Sequence, residues 1–196
     1  MRVTGGLAKG ARLQTLRGPE TRPTADQVRK AIFDILGPQV EGARVLDLFA
    51  GTGALGIEAL SREAAEAMFV ESGRQACSVI LANLDATGSR ARGVVKRGDV
   101  ERVLSRPPKE PYDLAFLDPP YERGLGFVAR ILGKLASGAP RTEAGSVAGG
   151  GWIRAGGTVV VESVVGAVPW PEGFQQTRVR PFGRTQIAVA VRDDHA

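Results

Sequence analysis

The sequence predicts an α/β protein with a mostly parallel seven-stranded sheet, closed by an antiparallel hairpin and preceded by a small β-hairpin and helix. Three observations predict it. Short apolar runs such as Arg44–Phe49 and Leu114–Leu117 have the composition of strands buried on both faces. Those runs alternate with segments of helical period, the order that produces a parallel sheet. A glycine-rich turn, Gly51-x-Gly53-x-x-Gly56, joins the first long run to a helix.

The N-terminal stretch pairs Arg2-Val3-Thr4 with Arg12–Leu16 across Gly5, Gly6 and Gly10, the pattern of a glycine-turned hairpin. Thr24 and Gln27 then have capping-box spacing at a helix start. Val28, Ala31, Ile32, Ile35 and Leu36 supply the apolar face of that helix, and Gly37-Pro38 ends it. Arg44–Phe49 is the first strand, followed by the glycine loop and a helix reaching about Ser61. Ala67–Glu71 is the second strand, with Ser72 and Gln75 spaced as a capping box for the next helix. Gly93–Lys96 is the third strand and Val100–Leu104 a short helix. Leu114–Leu117 is the fourth strand, Leu125–Leu135 a helix and Thr158–Glu162 the fifth strand. Phe174–Val179 and Gln186–Val191 form the closing hairpin. Between them, 137–151 is rich in Gly, Ala and Ser without period, which reads as a flexible insertion. Two domains are expected, a basic appendage over 1–37 and the α/β domain over 38–196.

Composition excludes several chemistries. The 196 residues hold one cysteine, Cys77, and one histidine, His195, so neither a Cys/His zinc site nor a Ser-His-Asp triad can be assembled. No metal site is expected. No run of 18 apolar residues occurs and no apolar leader opens the chain, so a cytoplasmic protein free of membrane is expected. Charge is unevenly placed. Arg2, Lys9, Arg12, Arg17, Arg22, Arg29 and Lys30 face only Glu20 and Asp26, so residues 1–30 carry the whole net charge of +5. Such a block is the footprint of a phosphate-backbone contact, and equally of a solvated basic arm.

The fourth strand ends in Asp118-Pro119-Pro120-Tyr121. Prolines cannot continue a ladder, and each restricts the residue before it, so the backbone here is stiff before any tertiary contact forms. A carboxylate and free carbonyls at the strand tip are acceptors. They suit a group with two N–H donors, such as the exocyclic amine of a nucleobase, and Tyr121 can stack on the base. The glycine loop by itself is also a dinucleotide fingerprint, with Glu71 twenty residues after Gly51 where a ribose-binding acid sits. A nicotinamide enzyme is therefore a second reading. Asp47, just before the loop, weighs against it, because a negative charge beside a pyrophosphate is unfavourable.

Taken together, Asp47-Leu48-Phe49-Ala50-Gly51-Thr52-Gly53 resembles the first motif of class I methyltransferases, whose fold is Rossmann-like. Asp118-Pro119-Pro120-Tyr121 resembles the tetrapeptide of those that methylate amino groups of bases. The Arg22–Arg29 block, Leu55-Gly56-Ile57-Glu58-Ala59-Leu60-Ser61-Arg62 and Arg123-Gly124-Leu125 extend the likeness to the bacterial 16S ribosomal RNA guanine-N2 methyltransferases of the small subunit, the D type. That resemblance implies S-adenosylmethionine as cofactor, held by Asp47, Phe49, Gly51, Gly53, Glu71 (to the ribose hydroxyls), Asp99 (to the adenine amine) and the Val100 N–H. Asp99 can equally be only a helix N-cap. It implies Asp118, the Pro119 carbonyl and Tyr121 at the reacting base, and Lys9, Arg12, Arg22, Thr24 and Arg29 on RNA. The implied partner is 16S ribosomal RNA, free or in an assembly intermediate, with the protein a monomer. Glu63 departs from the pattern, standing where these enzymes usually have glycine, and the 137–151 insertion is long. An adenine-N6 methyltransferase and a non-catalytic RNA-binding protein remain as further readings.

Overall fold

A computed structural model describes residues 1–16, 23–137 and 151–193, without the side chains of 23–25 and Tyr121. Expectations placed on Arg22, on the Thr24 and Tyr121 side chains, on His195 and on 138–150 lie outside the described residues. The chain divides into two compact units, Met1–Asp99 and Val100–Ala196. Residues 1–37, expected as a separate appendage, fall within the first.

In the first unit, the N-terminal turn is narrower than the expected hairpin. A single antiparallel bridge joins Arg2 to Arg12, flanked by hydrogen bonds from Val3 N to Ala11 O and Leu13 N to Met1 O. Val3 and Leu13 are its buried anchors. Helix α1 (Pro23–Leu36) begins at proline, so Thr24 lies inside its first turn and not at the cap. Its buried face is Val28, Ala31, Ile32, Phe33 and Leu36. Ile35, which the periodicity placed on the apolar face, is only half-buried, while Phe33, which it did not, is buried.

Strands β1 (Arg44–Leu48), β2 (Glu66–Glu71) and β3 (Gly93–Arg97) are parallel in the order β3-β2-β1, and pair Leu48 with Val70 and Val70 with Lys96. Helices α2 (Ala54–Ser61) and α3 (Arg74–Ala86) connect them. Phe69, Leu46, Leu48, Ile57, Leu60, Ile80 and Leu84 form the core. The Ser72/Gln75 capping box does not form. Gly73 is the N-cap of α3, and its N–H is taken by the Glu71 carboxylate at 2.7 Å. Glu63 sits at φ 69°, a left-handed conformation that non-glycine residues adopt at a cost. The departure from glycine at this position is thus a local strain, confined to the turn after α2.

The second unit holds α4 (Val100–Leu104), β4 (Tyr112–Leu117), α5 (Gly124–Ala136), β5 (Ile153–Val164), β6 (Phe174–Phe182) and β7 (Thr185–Arg192). β4 and β5 are parallel, with Leu117 opposite Val161. β7 runs antiparallel between β5 and β6. Leu114, Ala115, Phe116 and Leu117 are all buried, as the run of four apolar residues requires. α5 covers them with Phe127, Val128, Ile131, Leu132 and Leu135. Trp152 stacks on Tyr112 and donates its indole N–H to the Leu104 carbonyl at 3.0 Å. The fifth strand is longer than its apolar stretch, because a register shift between Tyr112 and Leu114 lets Ile153 join the ladder as well. The expected mostly parallel seven-stranded sheet with an antiparallel closing hairpin is the architecture the chain adopts.

Candidate functional site

Within the first unit, the chain leaves β1 through a turn that only unusual backbone angles permit. Phe49 has φ 60°, followed by Gly51 at 55° and Gly53 at 78°. A bulky residue held left-handed is strained, and such strain collects where a loop is shaped for a ligand. The turn is clamped from two sides. Asp47, 2% exposed, accepts the Gly56 N–H at 2.9 Å, occupying a donor in the first turn of α2. Glu71, at the end of β2, accepts the Gly51 N–H through Oε2 at 2.8 Å and the Gly73 N–H through Oε1 at 2.7 Å. Gly56 is the close approach. A Cβ there would meet the Phe69 ring at 2.3 Å, so only glycine lets α2 pack onto β2 with Asp47 beneath it.

The Gly98 N–H donates to the Glu71 carbonyl at 2.9 Å, which fixes the exposed Asp99 beyond the tip of β3. Asp47, Phe49, Gly51, Gly53, Glu71 and Asp99 therefore gather at the carboxyl ends of β1, β2 and β3. That edge is where open α/β sheets bind ligands. Val100 is buried at the start of α4, in the second unit.

In the second unit, β4 ends at Leu117 and the prolines take over. Asp118 is exposed, Pro119 buried and Pro120 exposed, and a 3₁₀ turn follows in which Arg123 N donates to the Pro120 carbonyl at 3.0 Å. Beside them lies a small, half-open cleft lined by Pro119, Pro120, Gly124, Leu125 and Val128 and by Glu162, Ser163 and Val164 of β5. Although Asp118 reaches solvent, packed neighbours strip water from its carboxyl and the Glu162 carboxylate adds a second negative charge. The two effects, in that order, push its pKa up to about 7.

The basic residues do not all behave as expected. Lys9 and Arg12 are exposed on the N-terminal turn. Arg29 is the correction: it is 3% exposed and cannot reach a phosphate. Its guanidinium donates to the Arg2 carbonyl at 2.5 Å and to Asp26 at 3.0 Å, with Nε 3.4 Å from Glu58. Glu58, fully buried, also accepts the Thr4 N–H at 2.8 Å, the Thr4 hydroxyl at 2.7 Å and the Arg62 Nε–H at 3.0 Å. A lone carboxylate in an otherwise apolar eight-residue helix was the available signal for this hub.

Asn83 is the second residue that sequence reasoning missed. It is fully buried and offers its side chain to both the N-terminal segment and the glycine loop. Its position on the inner face of α3, among apolar residues, was the only trace it left. Glu162 was the third. Among the described residues no group of His, Cys, Asp and Glu is arranged to hold a metal, and no helix is long and apolar enough to cross a membrane.

Comparison with known proteins adds a family to this geometry. The family model described as Conserved hypothetical protein 95 matches residues 1–191. Ribosomal RNA small subunit methyltransferase D of Escherichia coli K12 is 39% identical over 125 residues, 64% of this chain and 62% of that relative. YlbH of Bacillus subtilis strain 168 is 43% identical over 124 residues, 62% of this chain and 67% of that relative. The chain thus spans just under two thirds of the Escherichia coli relative's length in the matched region. A solved structure of yhhF from Escherichia coli is 31% identical with a TM-score of 0.83, covering 99% of this chain and 98% of that one.

Proposed function

The chain belongs to the Conserved hypothetical protein 95 family, and we propose that it is an S-adenosylmethionine-dependent methyltransferase acting on the exocyclic N2 of a guanine in small-subunit ribosomal RNA. The observation that carries the proposal is Asp118. A carboxyl held at the tip of β4 by two prolines, with a pKa near 7 and a pocket beside it, is suited to an amine that becomes cationic as it reacts. The relative named as a ribosomal RNA small subunit methyltransferase supports the substrate class.

The residues of the first unit fit the cofactor. The left-handed loop of Phe49, Gly51 and Gly53 keeps side chains out of the way and leaves backbone facing the ligand. Glu71 and Asp99 offer carboxylate acceptors for ribose hydroxyls and the adenine amine, while the Val100 N–H serves a ring nitrogen. Asp47 places a negative charge at the base of the loop and accepts the Gly56 N–H. That arrangement disfavours a dinucleotide, because the pyrophosphate would meet a carboxylate where it needs a helix N-terminus. When bound, S-adenosylmethionine supplies an electrophilic methyl group on a cationic sulfur.

The protein's own residues do the rest. Asp118 and the Pro119 carbonyl each accept one N–H of the guanine amine, turning its lone pair out of conjugation with the ring. As positive charge develops on that nitrogen, the fixed carboxylate stabilises it more than it stabilises the neutral amine. Asp118 then takes the departing proton, a task for which a pKa near 7 is better matched than an ordinary one. Tyr121 supplies the stacking surface for a base that has left its helix. Lys9 and Arg12, with Arg22, hold the RNA backbone. The partner is small-subunit ribosomal RNA or an assembly intermediate containing it, met by a monomer in the cytoplasm.

Incubating the purified protein with methyl-labelled S-adenosylmethionine and unmodified small-subunit RNA or subunits, followed by nucleoside mass spectrometry, tests this. N2-methylguanosine at a single position is the expected product. Label on adenine would identify an adenine-N6 enzyme, and no label on any RNA would remove the proposal.

A further inference from the structure

Resting on the guanine-N2 reading, we infer that Glu162 is the residue that selects guanine, accepting its N1–H while Asp118 accepts from the adjacent amine. Leu117 and Val161 are the last partners in the parallel β4–β5 ladder; Asp118 follows the end of β4, and Glu162 is the next residue of β5. Neighbouring strands run about 5 Å apart and successive side chains alternate faces, so these two carboxylates emerge side by side on one face, where β4 has just ended. The influence of Glu162 on Asp118 is the electrostatic trace of that proximity. Glu162 also lines the cleft, together with Pro119, Pro120, Leu125 and Val128. Apolar surface for a ring and a carboxylate for its edge thus line one cleft, next to the Asp118 carboxyl.

Only one base matches two adjacent acceptors. Guanine presents N1–H next to its N2 amine, an unbroken row of donors. Adenine has a bare N1 beside its N6 amine, and cytosine a bare N3 beside its N4 amine. A carboxylate facing either bare nitrogen would set acceptor against acceptor, leaving both unpaired in a partly dehydrated site. A site built to bond a donor rejects an analogue lacking it far more strongly than an apolar pocket rejects a change of shape. Asp118-Pro119-Pro120-Tyr121 alone does not distinguish the amino-bearing bases, since any exocyclic amine satisfies it. The neighbouring acceptor on β5 does.

The test uses 2-aminopurine, which keeps the N2 amine but has a bare N1. Small-subunit RNA is assembled by ligation with guanine or 2-aminopurine at the mapped position, and kcat/KM is measured for both, with the intact protein and with Glu162→Gln. The intact protein should prefer guanine by on the order of 100-fold or more. Glutamine can turn its amide N–H toward a bare N1, so the variant's preference should fall by at least about tenfold, with S-adenosylmethionine affinity unchanged. An unchanged preference in Glu162→Gln would overturn the inference. So would equal use of both RNAs by the intact protein, a readout that needs no variant to fold. An intact protein that methylates guanine without this discrimination refutes the role of Glu162 alone. One that leaves guanine untouched refutes the guanine-N2 reading and this inference with it.

Discussion

Asn83 donates through Nδ2 to the Thr52 carbonyl at 2.9 Å, and thereby ties α3 to the glycine loop. The same side chain accepts the Gln14 N–H at 2.7 Å and donates to the Gln14 carbonyl at 3.1 Å. One buried amide therefore holds both the loop and the chain that follows the N-terminal turn. Replacing it with alanine leaves three backbone groups without their partner. We expect Asn83→Ala to lower stability by about 1–3 kcal/mol and to weaken S-adenosylmethionine binding several-fold. Thermal denaturation with calorimetric titration measures both, and an unaffected cofactor affinity would show that the loop keeps its shape without α3.

Glu71 acts on the other side of the loop. Its carboxylate already accepts the Gly51 and Gly73 N–H groups and has lone pairs left for ribose hydroxyls. Charge-assisted hydrogen bonds of roughly 1.5–3 kcal/mol are at stake, so Glu71→Ala should raise the cofactor dissociation constant at least about tenfold. The rate at saturating cofactor should change much less. Normal binding by the variant would place the ribose acid elsewhere.

Glu58→Ala removes the shared acceptor of Thr4 and Arg62 and leaves the buried Arg29 guanidinium short of one of the two carboxylates it is ion-paired with. Uncompensated buried charge of this kind costs about 3–5 kcal/mol, read from a denaturant titration. Because the residue anchors the N-terminal turn, limited proteolysis near Thr4 should accelerate as well. Retention of wild-type stability would mean that Arg29 relies on Asp26 and the Arg2 carbonyl alone.

Asp118 gives a pH prediction with a definite sign. Its ionised form is the acceptor, so kcat/KM should rise with pH and level off above about 7, and Asp118→Asn should lose at least about 100-fold on that plateau, with the gap closing as pH falls below 7. Stability runs the other way. A carboxyl raised from 3.8 to about 7 binds its proton more tightly when folded, so its contribution is fully present below 3.8 and is lost as pH rises through 7. Asp118→Asn should therefore show a flatter decline of melting temperature over that interval. A flat activity profile between pH 5 and about 8 would show that the carboxyl titrates at its ordinary value.

Lys9 and Arg12 are exposed on the N-terminal turn, and each phosphate contact contributes about 0.7–0.9 to the slope of log affinity against log salt. Neutralising both should flatten that slope by about 1.5 in filter binding of ribosomal RNA fragments. Melting temperature should hardly move, since exposed charges seldom contribute more than about 1 kcal/mol. An unchanged slope would mean that RNA is gripped elsewhere and the turn only keeps the protein in solution.

How much of this was legible in the sequence differs from residue to residue. β1, β2 and β4 were readable because consecutive apolar residues leave few alternatives to a buried strand, whereas the edge strand β3, with Val94 exposed, showed only its short Val-Val run. The glycine loop was readable because positive φ and close packing leave few residues but glycine at Gly53 and Gly56. The stiff tip at Asp118-Pro119-Pro120 follows from proline's covalent geometry. These are local constraints, acting over a few residues, and the sequence states them directly. The Ser72/Gln75 box shows where local reasoning fails: its spacing was right, but the Glu71 carboxylate reached Gly73 first.

What tertiary structure decided are pairings between residues far apart in the chain. Arg29 reads as a surface cation until Glu58, on another helix, is seen to bury and neutralise it. Asn83 reads as an ordinary helix residue until the fold brings Gln14 and Thr52 against it. Glu162 reads as one more polar residue late in a strand, and only the β4–β5 register sets it beside Asp118. No local pattern encodes such partners, because a buried charge or amide is stabilised by groups that only packing brings within hydrogen-bond reach. The sequence by itself determined the strands, the loop and the tip that presents Asp118. The packed chain determined which polar side chains hold those parts in place and which acceptor stands next to that carboxyl.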